Sequence, residues 1–229
     1  MKRKEFLTKS IAGLGGAVAF SAILHPQRAE EELRVHLVDD CEDSARETRG
    51  PFPNKNPSSL VSRNIVGDRK GVALLIELII LDKAGNCRPL EGALVDIWHC
   101  DNQGHYSEYG GTRMQNENHE SRHFLRGRQH TDALGKVSFQ SIFPGYYRGR
   151  APHLHIEVKG KDEKSLLVTQ IAFPEDVCDM VYASEGYQGK GYVSNASDGV
   201  FRDSLERNMA DVLTGDTGSG FRLGKTLVV

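Results

Sequence analysis

The apolar positions of this chain fall in short runs separated by turn residues. Val72 to Leu81 is an almost unbroken apolar run, and Ala93 to Trp98, Lys136 to Phe143, His153 to Val158 and Leu166 to Phe173 follow it. Runs of this length, bounded by Gly, Pro, Asn and Asp, read as strands. Asp82-Lys83-Ala84-Gly85-Asn86 and Asp132-Ala133-Leu134-Gly135 supply turns, with glycine where the backbone can need a positive φ. The series predicts an all-β fold, an antiparallel β-sandwich with long loops and one or two short helices. A helix is predicted near Arg202 to Leu213, where Phe201, Leu205, Met209 and Val212 or Leu213 fall close to helical spacing.

Two stretches lack either period. Residues 30–70 are polar and rich in Pro, Gly and Asn, and read as ordered loop laid over a core, with regular structure beginning near Gly71. Tyr106 to His130 is rich in Gly, Asn, His and Arg and reads as one long loop, expected to wall a site. No internal repeat is present, and Gly215 to Gly220 is the one low-complexity feature.

The start of the chain stands apart from this pattern. Met1-Lys2-Arg3-Lys4 precedes an apolar run from Ile11 to Leu24, shorter than the about 20 residues of a membrane span and suited to a signal h-region. Arg3-Lys4-Glu5-Phe6-Leu7 resembles a twin-arginine signal with Lys for the second Arg. Residues 1–29 are therefore expected to be an export signal, twin-arginine-like or Sec, and residues 30–229 one domain in the periplasm or outside the cell. Should the leader be retained, N-terminal membrane association follows. The first 29 residues carry a net +4 and the whole chain −2, which leaves −6 on the remainder. An acidic domain without Lys/Arg blocks argues against a nucleic-acid partner. Cys41, Cys87, Cys100 and Cys178 lie far apart with no C-x-x-C pair, which disfavours structural zinc. In an oxidising compartment they allow up to two disulfides, with three pairings open.

Chemistry concentrates in two segments. His153 and His155 sit at i and i+2 on a strand, so their imidazoles project to one face. Pro144-Gly145-Tyr146-Tyr147 lies just before them, and the strand ending at Trp98 runs through a Gly-containing turn to Tyr106. His-x-His alone is more often a pair of polar surface residues; Arg150 three positions upstream, with the tyrosines, turns the reading to metal.

These segments resemble the intradiol ring-cleavage dioxygenases, the catechol and protocatechuate dioxygenase family. Trp98 to Tyr106 is similar to its W-x-x-x-x-G-x-Y stretch, Pro144 to Tyr147 to P-G-x-Y, and Arg150 to His155 to R-x-x-H-x-H. Thr48-Arg49-Gly50-Pro51-Phe52, Thr131-Asp132-Ala133-Leu134-Gly135 and Thr169-Gln170-Ile171-Ala172-Phe173 add further matches across roughly residues 40–180. The resemblance implies Fe(III) held by Tyr106, Tyr147, His153 and His155, a donor set whose hard anionic phenolates suit ferric iron better than zinc. It also implies Tyr147 as a base toward the substrate, Arg150 as a stabiliser of developing negative charge and Gln170 as a hydrogen-bonding neighbour.

The implied substrates are a small aromatic diol and O2, with the ring opened between the two hydroxylated carbons to a cis,cis-muconate-type product. Trp98-His99-Cys100 and Pro144-Gly145-Tyr146-Tyr147-Arg148 depart from the family's usual residues there and bear on substrate identity. Tyr146 is assigned to packing, Trp98 to a core anchor, and His99, His105, His119, His123 and His130 to surface or neighbouring positions. Two other readings compete: a non-catalytic exported β-sandwich module binding aromatic or carbohydrate ligands, and a zinc site of His153, His155 and Glu157. A homo-oligomer stays open.

Overall fold

The computed structural model describes residues 41–229, so the expected export signal lies outside the described residues. Strands form where the apolar runs predict them: β1 (Ala73–Asp82), β3 (Leu94–Trp98), β5 (Lys136–Ile142), β6 (His153–Lys159) and β7 (Ser165–Ala172), with a two-residue β2 (Arg88–Pro89) between the first two. Further strands are β4 (Arg126–His130), β8 (Val212–Asp216) and β9 (Gly220–Val228), and the helices are α1 (Glu175–Tyr182) and α2 (Leu205–Asn208).

Two sheets face each other. In the first, β1 pairs with β9 on one edge and with β5 and β2 on the other, and β8 lies outside β9. The second has the order β4-β3-β6-β7. Side chains from both meet in one apolar core, including Leu74, Ile76, Leu78 and Ile80 of β1, Val95 and Ile97 of β3, and Leu154, Ile156 and Val158 of β6.

That alternation positions the chemistry. With Leu154, Ile156 and Val158 turned into the core, period two sends His153, His155 and Glu157 to the outer face of the second sheet. The register lines up Arg126, Trp98, His155 and Gln170 in one row across the four strands. In the next row Arg128, Asp96 and Glu157 are neighbours. These residues are nonetheless buried, because the irregular segment before β1 and the loop between β3 and β4 lie over this face. The Phe52 backbone carbonyl accepts from Arg126 Nη1 there, and the Arg128 N–H donates to Leu60 O.

The structure departs from the pattern in five places. The sandwich is not wholly antiparallel, since β1 and β9 run parallel. Tyr106 to His130 is not all loop: its last five residues are β4, whose Arg-Gly-Arg-Gln-His sequence hides a strand because its arginines are buried by ion pairs and hydrogen bonds rather than by apolar contact. Arg202 to Leu213 is helical only over Leu205–Asn208, and from Val212 the chain pairs as β8. Strand β9 escapes the pattern because Lys225 interrupts the inward row Phe221, Leu223 and Leu227; its ammonium reaches Asp211 at 2.6 Å. Helix α1 is the fifth: Cys178, Val181 and Tyr182 bury one face at i, i+3 and i+4, and Glu175 and Asp176 occupy the first turn after Pro174.

One disulfide joins Cys41 to Cys87, with Cα atoms 6.1 Å apart, and Cys100 and Cys178 are free and buried. Among the described residues no helix is long and apolar enough to cross a membrane.

Candidate metal centre

Three local devices place the four sequence-assigned ligands. His153 and His155 come from the start of β6. Tyr106 follows a turn closed by Asp101, whose Oδ1 accepts from the backbone N–H groups of Gln103 and His105, both at 2.9 Å. Gln115 then grips Tyr106 on both sides, accepting from its N–H at 2.6 Å and donating to its carbonyl at 2.8 Å. Tyr147 leaves β5 through Pro144-Gly145; the Gly145 N–H donates to Asp101 O at 2.9 Å, and a β-carbon at Gly145 would lie 2.5 Å from that oxygen. The close approach of the two tyrosine-bearing turns thus requires glycine.

The four rings converge. Ring centroids of Tyr106 and Tyr147 are 5.7 Å apart, Tyr147 and His153 5.5 Å, His153 and His155 4.7 Å, and Tyr106 and His155 6.3 Å. All four residues are buried. His153 Nδ1 donates to Ala151 O at 2.6 Å, which leaves the lone pair on Nε2, and that atom faces His155 Nε2 at 3.1 Å. The indole of Trp98 stacks flat on His155, 5.0 Å away at an interplanar angle of 3°. Trp98 therefore anchors this outer cluster, with Phe52, Cys100, Tyr106 and Tyr147, rather than the sandwich core.

Burial fixes the protonation states. It pushes His153 down to about 3, assisted by Arg150, and His155 well below its ordinary range, assisted by His153. Both imidazoles are therefore neutral donors. The same burial raises Tyr106 far above the ordinary tyrosine value, and raises Tyr147 against the opposing pull of Arg150.

Three polar atoms in this cluster have no hydrogen-bond partner, Tyr106 Oη, His155 Nδ1 and Trp98 Nε1. A buried hydroxyl left unpaired costs about 1–3 kcal/mol. Two imidazole nitrogens 3.1 Å apart also lie within twice a metal–nitrogen bond of about 2.0–2.1 Å. An orphaned phenol, facing imidazole nitrogens and hard oxygen donors are the features a bound cation would satisfy, so the residues fit a ferric ion.

Arg150 organises the rim. Its Nη1 donates to Tyr147 Oη at 3.1 Å, Nη2 to Gln170 Oε1 at 2.6 Å, and Nε to the carboxylate of Asp198 at 2.8 and 3.0 Å. Gln170 Nε2 in turn donates to Thr48 O at 2.8 Å. Asp198 is fully buried; burial works against its charge, but N–H groups of Ala151 and Val200 and the Arg150 guanidinium hold its carboxyl below the usual range. Glu157, the carboxylate of the zinc reading, is instead engaged by Arg49 and Lys159.

A family model described as Dioxygenase matches residues 52–200. The chain belongs to the intradiol ring-cleavage dioxygenase family. Its relatives include the protocatechuate 3,4-dioxygenase beta chain of Burkholderia cepacia, 31% identical over 118 residues, 48% of each chain. The chlorocatechol 1,2-dioxygenase of Rhodococcus opacus is 26% identical over 145 residues, 55% of this chain and 52% of that one. The chain thus spans about half the length of the curated relatives it matches. Among solved structures, an intradiol ring-cleavage dioxygenase from Tetranychus urticae superposes with a TM-score of 0.73 at 28% identity, covering 82% of this chain and 94% of that one.

Within this dioxygenase fold, sequence reasoning missed two contributors. Asp198 carries no motif of its own. Phe52, which stacks on Tyr106 at 4.7 Å and meets Tyr147 edge-on at 6.0 Å, belongs to a matched segment that had been given no role. His99, assigned to a surface or neighbouring position, takes the second: it is fully buried, with Nδ1 bonded to Cys100 O at 2.8 Å and Nε2 to Ser141 Oγ at 2.7 Å. Tyr146 packs as expected, against the aromatic cluster of Tyr182 and Tyr192.

Proposed function

We propose that the chain is an exported, non-haem Fe(III)-dependent intradiol dioxygenase. It opens a catecholic ring between the two hydroxylated carbons with O2 and yields a cis,cis-muconate-type diacid. The observation that carries this reading is the meeting of two buried phenols and two neutral imidazoles around unpaired polar atoms.

Tyr106, Tyr147, His153 and His155 would hold the iron, which would supply Lewis acidity toward a catecholic diol. Tyr147 Oη faces the Arg150 guanidinium, and as a phenolate it would take up a proton from a substrate hydroxyl as the diol enters. Arg150, locked by Asp198 and Gln170, presents a permanent positive charge where negative charge develops. Phe52 and Trp98 pack beside the ligand rings and keep water from them. The Cys41–Cys87 disulfide supports an oxidising compartment and so the export reading.

Iron-loaded protein is expected to be reddish from tyrosinate-to-Fe(III) charge transfer, to consume O2 with at least one of catechol, protocatechuate and hydroxyquinol, and to change colour in Tyr147→Phe. A colourless protein that binds only zinc and consumes no O2 with any of the three would overturn the proposal.

A further inference from the structure

A second cluster of metal-binding side chains lies on the other side of the turn that carries Tyr106. Asp101, His105 and His119 each present one donor atom, and these atoms all lie within 4.8 Å of one another. His105 Nδ1 is 3.9 Å from Asp101 Oδ1, and the two imidazole centroids are 5.8 Å apart. Neither ring has a hydrogen-bond partner among the described residues, although both are only partly exposed. Tyr106 is buried while its neighbour His105 is about one-third exposed, so the adjacent side chains face opposite ways.

We propose that Asp101, His105 and His119 form a second metal site for a borderline divalent cation such as Zn(II), separate from the centre built on Tyr106, Tyr147, His153 and His155. Two imidazoles with one carboxylate suit Zn(II), Co(II) or Ni(II), whereas Ca2+ and Mg2+ need more oxygen donors than the three residues provide. Donors sharing an ion at about 2.0–2.1 Å sit roughly 3–4 Å apart, so closing the site takes side-chain rotation on the order of 1 Å. The partly exposed imidazoles have room for it. Burial holds His119 below its ordinary value, with the lone pair available.

Asp101 keeps one acceptor position for the ion. A carboxylate offers about four; two backbone N–H groups occupy Oδ1, and Arg69 Nη1 lies 3.2 Å from Oδ2. The Arg69 charge, itself paired with Asp68, weakens the site without filling it. Arg122 adds a second nearby cation, also paired with Asp68. The ion would tie the turn before Tyr106 to the loop in which His119 N bonds Tyr109 O at 2.9 Å, the same loop whose Gln115 holds the Tyr106 backbone. Binding to the folded state alone raises thermal stability by mass action.

The test is calorimetric titration of Zn(II) into iron-loaded protein, repeated in a His153→Ala, His155→Ala variant so that zinc at the first centre cannot be mistaken for the second. One equivalent is expected in both, with His119→Ala weakening it at least about tenfold and the visible absorption of the first centre unchanged. Zinc-edge X-ray absorption of zinc bound to the His153→Ala, His155→Ala variant should show two imidazole nitrogens at about 2.0–2.1 Å. That measurement decides the matter if His119→Ala does not fold. Absence of zinc binding, equal affinity in folded His119→Ala, or a zinc shell without two imidazoles sinks the proposal. None of these outcomes bears on the dioxygenase reading.

Discussion

At the scale of single residues, the centre gives up stability by burying a polar atom that no neighbouring side chain pairs. Tyr106 Oη is buried without a partner, so in metal-free protein Tyr106→Phe is expected to leave the unfolding free energy unchanged or raise it by about 1–2 kcal/mol. The same variant is expected to lose O2 uptake with every diol; a stable variant with full activity would remove Tyr106 from the ligand set. Gly50 shows the same tension in the backbone. It holds a φ of 66°, and a β-carbon there would lie 2.8 Å from His155 Cε1, so only glycine lets the covering segment close on that imidazole. His99 adds a pH dependence. Burial lowers its value from 6.5 to about 4, so the folded state binds its proton less readily than the unfolded state. Stability present above pH 6.5 is therefore lost as pH falls toward 4, by at most on the order of 3 kcal/mol. Replacing it in His99→Gln is expected to reduce the slope of the unfolding free energy across that window, the rest coming from His153 and His155, as read by chemical denaturation of metal-free protein at a series of pH values. A slope identical to that of the native chain would show that His99 does not titrate on unfolding.

Among elements, the second sheet does two jobs with one alternation. Its inner rows make the apolar core, and its outer rows carry a buried polar layer that a solvated sheet face would not tolerate unpaired. Asp96 of β3 is central to that layer: Arg128 of β4 donates to it from Nε at 2.5 Å and Nη2 at 2.7 Å, and Lys159 of β6 lies 3.2 Å away. Removing one partner of such a pair leaves the other charge buried. Asp96→Asn is accordingly expected to destabilise by about 3–5 kcal/mol in denaturant unfolding, and a loss under 1 kcal/mol would mean that the layer is wetter than its burial suggests. This layer also explains why β4 was unreadable: a strand whose outward residues are Arg126 and Arg128 breaks the rule that buried positions are apolar, because its burial is compensated by charge and by hydrogen bonds.

For the whole molecule, the described part closes on itself through its ends. The C-terminal strand β9 inserts beside β1, and Ser44, near the start of the described chain, bonds Val228 through both its N–H, at 3.2 Å, and its Oγ, at 2.9 Å. The Cys41–Cys87 disulfide fastens the same region across a sequence separation of 46 residues. Reduction is expected to cost about 2–4 kcal/mol and lower Tm while leaving the absorption of the metal centre intact, because Cys41 and Cys87 contribute nothing to it; bleaching on reduction of a still-folded protein would contradict that separation. Five strands were legible in the sequence, and the family resemblance implied the two-Tyr, two-His set with Arg150 and Gln170, because alternation and motif spacing are local and survive in one dimension. The folded chain was needed to show β9 running parallel to β1, Asp198 locking Arg150, His99 buried, and Asp101, His105 and His119 meeting. Those facts depend on which distant segments share a face, and contacts between remote positions leave no period along the chain.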